Sequence, residues 1–527
     1  MISTLFKYRH IFSTGIFISL FILTLPLYQY RFDVDGIGAM TVALSIMKHD
    51  WLRGVNGVWS PLNSWIASLF PGLANNPVLP FKLINAACSI FIIILFQGLS
   101  NQIINAKEKS HKLILIAVAF ILPVILLSYT HFQLAGDLLQ LSIVLLYLYY
   151  IFTQNVFKSV TKSIIAGMMI ALACYSKAFS LPLLFLSHLV IGFLTFKNYE
   201  ENRYQPYIKS VLITYTTLFI LLAPWIFLMH QKYGVWSFST VQTFNFNWLL
   251  NDQSYTTLKS AELLMKPPYP DSPTAWEDPF IYYNYTLSGP FDTWANFLRF
   301  LKNILHNIKV SISSLNVLSF LSIPVLVYYS VKLLTQKENI LQVKILLFIS
   351  IFVVSGYTLI YVEPRYIWLT GIITLLIGSK FIIEQLADKL NPKSLLFVTA
   401  VFVSSYLLAP ADYLQDLRYS GKDIYQTASF LQANKLTKNF TAVVSNASEG
   451  SFCDQLAFVL KGRFFKITQP VYNDNRLIQS CKDNNIQFII YFYHSGKEKE
   501  LLQFSILEKQ SAKKIALPDK NAVVFIL

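Results

Sequence analysis

Over residues 1 to 410, long apolar runs alternate with short polar breaks. Runs of about 18 to 24 apolar residues are long enough to cross a ~30 Å hydrocarbon core as helices. The first falls within residues 1 to 30. Others lie near 81–104, 112–129, 133–152, 163–176, 179–196, 209–230, 308–333, 344–361, 366–387 and 394–410, about eleven in all. Lys7, Arg9 and His10 ahead of the first run give it the look of a signal peptide. The run is too long for one and lacks a small-x-small cleavage site, so it is read as a retained span.

Lys and Arg collect in every second short loop, as expected of cytoplasmic connections. Lys7 and Arg9, Lys107 to Lys112, Lys158 and Lys162, Lys197 to Lys209, Lys332 to Lys344, and Lys389 and Lys393 fall on one side. The short turns of the other side hold only Lys177 and Arg365. This pattern places the N-terminus inside and the C-terminus outside. It also favours two short helices over one long one between 163 and 196, broken at Ser176 to Pro182, because a single span there would reverse every later loop. Broken helices are expected where backbone lines a cavity.

Three segments do not fit in the bilayer, and this topology sends all three outward. Residues 31–80 form an amphipathic first loop. Residues 231–307 form a second loop rich in Trp, Tyr and Pro, including Trp236, Trp276 and Lys266-Pro267-Pro268-Tyr269-Pro270. Residues 411–527 alternate strand-like runs (440–444, 488–493, 522–527) with helical stretches such as 425–436. The expected fold is therefore an α-helical polytopic membrane domain over 1–410, followed by a small α/β domain over 411–527 on the outer face.

Composition agrees: 54% of the residues are apolar and only 13% charged, which excludes an ordinary soluble enzyme and any disordered or collagen-like class. The net charge of +15 then belongs to membrane topology rather than to nucleic-acid binding. Cys88 and Cys174 fall inside spans. Cys453 and Cys481 fall in the outer domain, where a disulfide between them is open. No Cys/His cluster has zinc-ligand spacing.

Polar groups recur at one membrane face. Asp33 and Asp35 follow the first span; His131 precedes Asp137; Lys177 separates the two short helices; and Glu363, Arg365 and Tyr366 join two late spans. Taken singly, each is an ordinary interface residue. Together, carboxylates and cations in separate positions suit a reaction that holds a lipid phosphate with cations and deprotonates an acceptor with a carboxylate. Two close carboxylates also fit a divalent metal ion. The rival reading is a polyprenyl-linked lipid transporter or flippase, which would place its ionisable groups near the midplane and show paired repeats. No such repeat is visible.

The motifs Asp33-Val34-Asp35-Gly36, Trp59-Ser60-Pro61-Leu62, Ser176-Lys177-Ala178-Phe179, Ala223-Pro224-Trp225 and Glu363-Pro364-Arg365-Tyr366 occur in the order found in the polytopic GT-C glycosyltransferases. The chain resembles in particular the bacterial members related to the protein mannosyltransferases and the lipid A aminoarabinose transferase. The resemblance implies inverting transfer of a hexose or pentose from a polyprenyl phosphate carrier to a lipid, glycan or protein acceptor. The site would lie on the periplasmic side of a bacterial inner membrane. It assigns the catalytic base to Asp35, with Asp33 as the alternative; the family's common Asp-Glu pair is here Asp35-Gly36. Lys177 and Arg365 would neutralise the donor phosphate, while Asp137, Glu363, His131 and Tyr366 would contact substrate. Metal dependence is open, since the family includes both kinds.

Overall fold

The computed structural model describes residues 2–198, 204–250, 262–282, 289–335, 341–468, 475–493, 507–509, 511–518 and 520–527. Among these, eight helices are long and apolar enough to cross a membrane, from Arg9–Tyr28 to Pro392–Asp416. Two more expected spans are the shorter apolar helices Asp137–Thr153 and Val160–Ser176. The run expected at 308–333 is instead two helices, Trp294–Leu318 and Ser322–Thr335, bent by 105°. Ser319 causes the break: its backbone is extended, its hydroxyl accepts from the Leu321 amide, and it pairs with Ser405 at 2.7 Å. By length and composition the described residues hold eight spans, or nine if the bent pair is one, with the two shorter apolar helices standing where the other two of the eleven were expected; the chain is a multi-pass membrane protein.

The break expected at Ser176 to Pro182 is present. One helix stops at Ser176, with Lys177 extended at φ −160°, and the next starts at Ser180. In the first loop, Val34–Met47 is helical and buried over nearly its whole length, so this loop packs into the molecule rather than lying on its surface. Pro61 opens the helix Pro61–Ser68, where its missing N–H costs nothing.

The tail folds around a six-stranded sheet: β1 (Leu264–Met265), β2 (Asn439–Val443), β3 (Arg463–Ile467), β4 (Phe488–Phe492), β5 (Lys513–Ala516) and β6 (Ala522–Ile526), in the order β1-β3-β2-β4-β6-β5. β3, β2 and β4 are parallel; the others add antiparallel. The edge strand β1 comes from the second loop, some 170 residues before the tail strands, so the sheet is not built from the tail alone.

Period-2 alternation along the strands fills two cores. Phe440, Phe464, Phe488 and Ile490 pack with the helices Lys422–Ala433 and Ala447–Leu460 on one face. Ile489, Tyr491 and Phe525 pack with Asn475–Asp483 on the other. Cys453 belongs to the first core and Cys481 to the second. The sheet separates them, both are free thiols, and no disulfide forms.

The tail domain is sewn to the loops. Gln455 Nε2 donates to the Phe32 carbonyl at 2.5 Å, the Tyr419 amide to Leu27 and the Phe464 amide to Pro273, each at 2.8 Å. The Tyr425 ring packs at a tilt against Tyr30, and Phe458 likewise against Phe32. The two loops and the tail therefore gather at one end of the bundle, the loop end. At the other end, Arg9 Nε donates to Gln97 at 2.5 Å and Lys380 Nζ to the Ile103 carbonyl at 2.9 Å.

Candidate active site

Asp33 has extended backbone and caps the helix Val34–Met47, accepting from the Gly36 amide at 3.0 Å. The same carboxylate accepts from the Leu134 amide at 3.1 Å and from Gln133 Nε2 at 2.6 Å. Its oxygens are thus committed to holding two polar turns together. Burial and the neighbouring Asp35 charge push its pKa up, against the pull of Arg365 and Arg31.

Asp35 stands one turn into the helix and faces a cavity at the loop end. Its Oδ2 accepts from Arg365 Nη2 at 2.6 Å, and its Oδ1 from Trp276 Nε1 at 3.4 Å. Arg365 lies in a single 3₁₀ turn, Pro364–Ile367, that leads into the helix Trp368–Phe381. Its guanidinium is buried, ion-paired to Glu363 at 2.6 Å, with Asp137 3.9 Å away. Lys177 Nζ pairs with Asp137 Oδ1 and sits 3.7 Å from the centre of the Tyr366 ring, a cation–π contact. Burial lowers the Lys177 pKa, with Asp137 opposing, and burial raises that of Glu363, with Arg365 opposing.

Glycine makes two of these approaches possible. A Cβ on Gly136 would lie 2.4 Å from the Ser176 carbonyl. The bare backbone there lets the following residues, Asp137 and Lys177, meet. A Cβ on Gly38 would lie 2.1 Å from Trp59 Nε1, so the Trp59 indole rests on the helix that carries Asp35. Trp59 Nε1 in turn donates to the Trp276 carbonyl at 3.1 Å.

Trp276 is held there by a clasp of buried ion pairs between the second loop and its surroundings. Arg53 Nε lies 2.7 Å from Glu277, and Lys232 lies 2.9 Å from Asp278. Asn56 Nδ2 donates to the Glu277 carbonyl at 2.8 Å, and the Tyr233 hydroxyl to Asp278 at 2.9 Å.

The cavity has a volume of about 310 Å³. Asp35, Asp137, Lys177, Arg365 and Tyr366 line it together with apolar walls such as Phe179 and Phe238. Of the residues singled out in the sequence, Glu363 joins the cluster through Arg365, while Asp33 braces it from outside. His131 is not in it. Its ring lies between spans, 4.3 Å from Tyr28 and 5.7 Å from Phe21, because it falls within the apolar helix Lys109–Phe132 rather than in the turn that follows.

Gln133 and Trp276 were not legible as site residues. Gln133 sits two positions beyond His131 in that turn, and its amide reaches both Asp33 and Asp35. Trp276 was visible only as part of a Trp-rich loop.

A divalent metal ion between Asp35 and Asp137 would have to displace the Arg365 guanidinium, which already pairs with Asp35 and approaches Asp137. The donor set does not fit a resident metal. Among the described residues, the one three-ligand group with metal-like spacing is Glu108, His111 and Asp388, far from this cavity in the fold.

No family model matches the chain, and no curated protein sequence matches it. Solved structures do. The chain superposes on ArnT from Cupriavidus metallidurans bound to undecaprenyl phosphate with a TM-score of 0.54 and 11% identity, covering 97% of each chain. The apo state of the same protein gives a TM-score of 0.51, 11% identity and coverage of 96% and 97%. The archaeal oligosaccharyltransferase AglB from Archaeoglobus fulgidus, in complex with an inhibitory peptide and a dolichol-phosphate, gives a TM-score of 0.52 and 11% identity. That match covers 92% of this chain and 69% of AglB. These are likenesses of fold, and they bear out a mostly helical, polytopic membrane architecture with a small sheet.

Proposed function

We propose that this chain, which has the fold of the GT-C membrane glycosyltransferases, transfers a sugar from a polyprenyl phosphate carrier to an acceptor hydroxyl at the loop end of the bundle. One observation carries the reading: a carboxylate, Asp35, and two cations, Lys177 and Arg365, converge on a single cavity with apolar walls. The similar structures with bound undecaprenyl phosphate and dolichol-phosphate support a lipid-phosphate donor.

The chemistry is a single displacement. Asp35 takes the proton of the acceptor hydroxyl, and the freed oxygen attacks the anomeric carbon from the side opposite the phosphate. The bond from the anomeric carbon to the phosphate oxygen breaks, and its electron pair leaves with the polyprenyl phosphate. Lys177 and Arg365 meet the developing charge in a site screened from water, where it is worth most. One displacement inverts the anomeric configuration. Asp137 and Glu363 orient the two cations, and Tyr366 packs beneath Lys177. The Lys/Arg bias of the opposite loops supports a bacterial inner membrane orientation with this end in the periplasm. Clustering of the ionisable groups at one end of the bundle, rather than at the midplane, weighs against a transporter.

The test is transfer in native membranes supplied with a panel of labelled polyprenyl phosphate sugars, comparing wild type with Asp35→Asn. Label reaching an acceptor in wild type alone supports the reading and identifies the donor. No transfer from any donor overturns it.

A further inference from the structure

A second and larger cleft, about 930 Å³, lies between the tail domain and the first loop. It shares no lining residue with the cavity around Asp35. The helix Val34–Met47 separates the two. Asp35 and Ala39, one turn apart on one face, line the donor cavity, whereas Thr41, Leu44, Ser45 and Lys48 face the cleft. From Asp35 to Lys48 the helix advances roughly 20 Å.

The cleft is basic. Lys48, Arg53, Lys438, Lys461 and Arg463 line it, against a single carboxylate, Asp271. Asp271 is already ion-paired to both Lys48 and Arg53. Lys438 and Lys461 have no ion pair among the described residues, and the buried Arg463 Nε has no hydrogen-bond partner there. Arg463 is nonetheless fixed in place, since its Nη2 donates to the Tyr269 carbonyl at 3.2 Å. Lys48 and Arg53 are thus matched by Asp271 and Glu277, and the three remaining cations, Lys438, Lys461 and Arg463, without matching carboxylates among the described residues, favour a multiply charged anion.

The cleft also has an apolar side, formed by Leu44, Met47, Tyr30 and Phe458, and its rim includes Asn76 and Pro77, immediately before the membrane span Val78–Ile103. Trp51 and Leu52, next to Arg53, are 62% and 55% exposed, and Leu69 is 79% exposed. Exposed Trp and Leu beside the start of a span mark the headgroup level of a bilayer. We infer that this cleft binds the phosphate-bearing headgroup of a membrane lipid, separately from the donor cavity. Its cations hold the phosphate and its apolar side receives the first carbons of the chains. The inference rests on the placement of this end at a membrane surface and not on glycosyl transfer.

The test uses the full-length protein in neutral phosphatidylcholine nanodiscs and titrates fluorescent phosphatidic acid, with inorganic polyphosphate as a soluble competitor. Wild type should bind the lipid saturably, and Lys438→Glu with Lys461→Glu should weaken binding at least fivefold, while Lys177→Ala should not change it. Unchanged binding in the double variant overturns the inference, as does loss in Lys177→Ala, which would place the phosphate in the donor cavity. Tighter binding of polyphosphate than of the lipid would assign the cleft to a soluble polymer instead. If the double Glu variant fails to fold, Lys438→Gln with Lys461→Gln must still weaken binding. Because the readout is binding, it stands or falls independently of whether sugar transfer is found.

Discussion

Arg365 Nη2 lies 2.6 Å from Asp35 Oδ2, although 330 positions separate the two residues in the chain. The same guanidinium is held by Glu363 and lies near Asp137, so one planar cation organises three carboxylates. Lysine cannot reproduce that fork. Arg365→Lys should therefore lower kcat by about 10² or more, nearly as far as Arg365→Ala. Transfer kinetics with saturating lipid donor check this, and near-wild-type turnover in Arg365→Lys would show that only the charge matters.

The two first-loop carboxylates should separate by mutation. Asp35→Asn removes the proposed base at constant size and should cost ~10² to 10⁴ in rate. Asp33→Asn keeps an oxygen that can accept from the Gly36 amide, so its loss of rate should be smaller, with stability reduced by less than the ~1 kcal/mol typical of losing an N-cap altogether. Rate and thermal unfolding measured on both variants decide the order; a greater loss of rate in Asp33→Asn would transfer the base role to it.

The clasp of the second loop makes a stability prediction. Lys232→Met leaves Asp278, whose side chain is 1% exposed, without its cation, and stranding one member of a buried pair costs about 3 to 5 kcal/mol. A lowered midpoint of thermal unfolding in detergent is expected. Lys232→Met combined with Asp278→Asn should recover part of it.

Burial raises the pKa of Asp454 in the tail domain to about 6, with Lys466 and a hydrogen bond to Thr274 pulling the other way. A folded pKa above the unfolded carboxylate value means that the folded state binds the proton more tightly. This contribution to stability is full below about pH 4, and it is lost as the pH rises through about 6. Wild type should thus gain more in unfolding midpoint than Asp454→Asn when the pH falls from 7.5 to 5.5. Identical pH responses in the two proteins would remove Asp454 as the cause.

Cys453 and Cys481 face opposite sides of the sheet, so reductant should leave the unfolding midpoint unchanged. Both thiols should react with an alkylating reagent only after denaturation, as mass spectrometry of the labelled peptides would show.

Apolar runs and the alternation of Lys and Arg between loops were sufficient to read the membrane architecture, because span length and loop charge are local properties set by the bilayer. The break at Ser176 to Pro182 was legible for the same reason. The bend after Leu318 was not, since a serine hydroxyl at 319 turns the chain without interrupting the apolar pattern. The strand-like runs of the tail were visible in their period-2 pattern, but the two-residue β1 is too short to leave one.

Asp35, Asp137, Lys177, Arg365 and Tyr366 could be picked out because they are polar positions at the ends of apolar runs. Their partners could not. His131 looked equivalent to Asp137, yet its place inside a helix turns it between spans. Which carboxylate braces and which faces the cavity follows from the capping of Val34–Met47 and from the Leu134 amide brought against it. Trp276 reaches Asp35 only because the clasp of Arg53 and Lys232 folds a loop across 241 positions of chain. Hydropathy, being a sum over neighbours in sequence, determined the spans; the pairing of cations with carboxylates depends on contacts between distant segments, and only the packing of the bundle decided it.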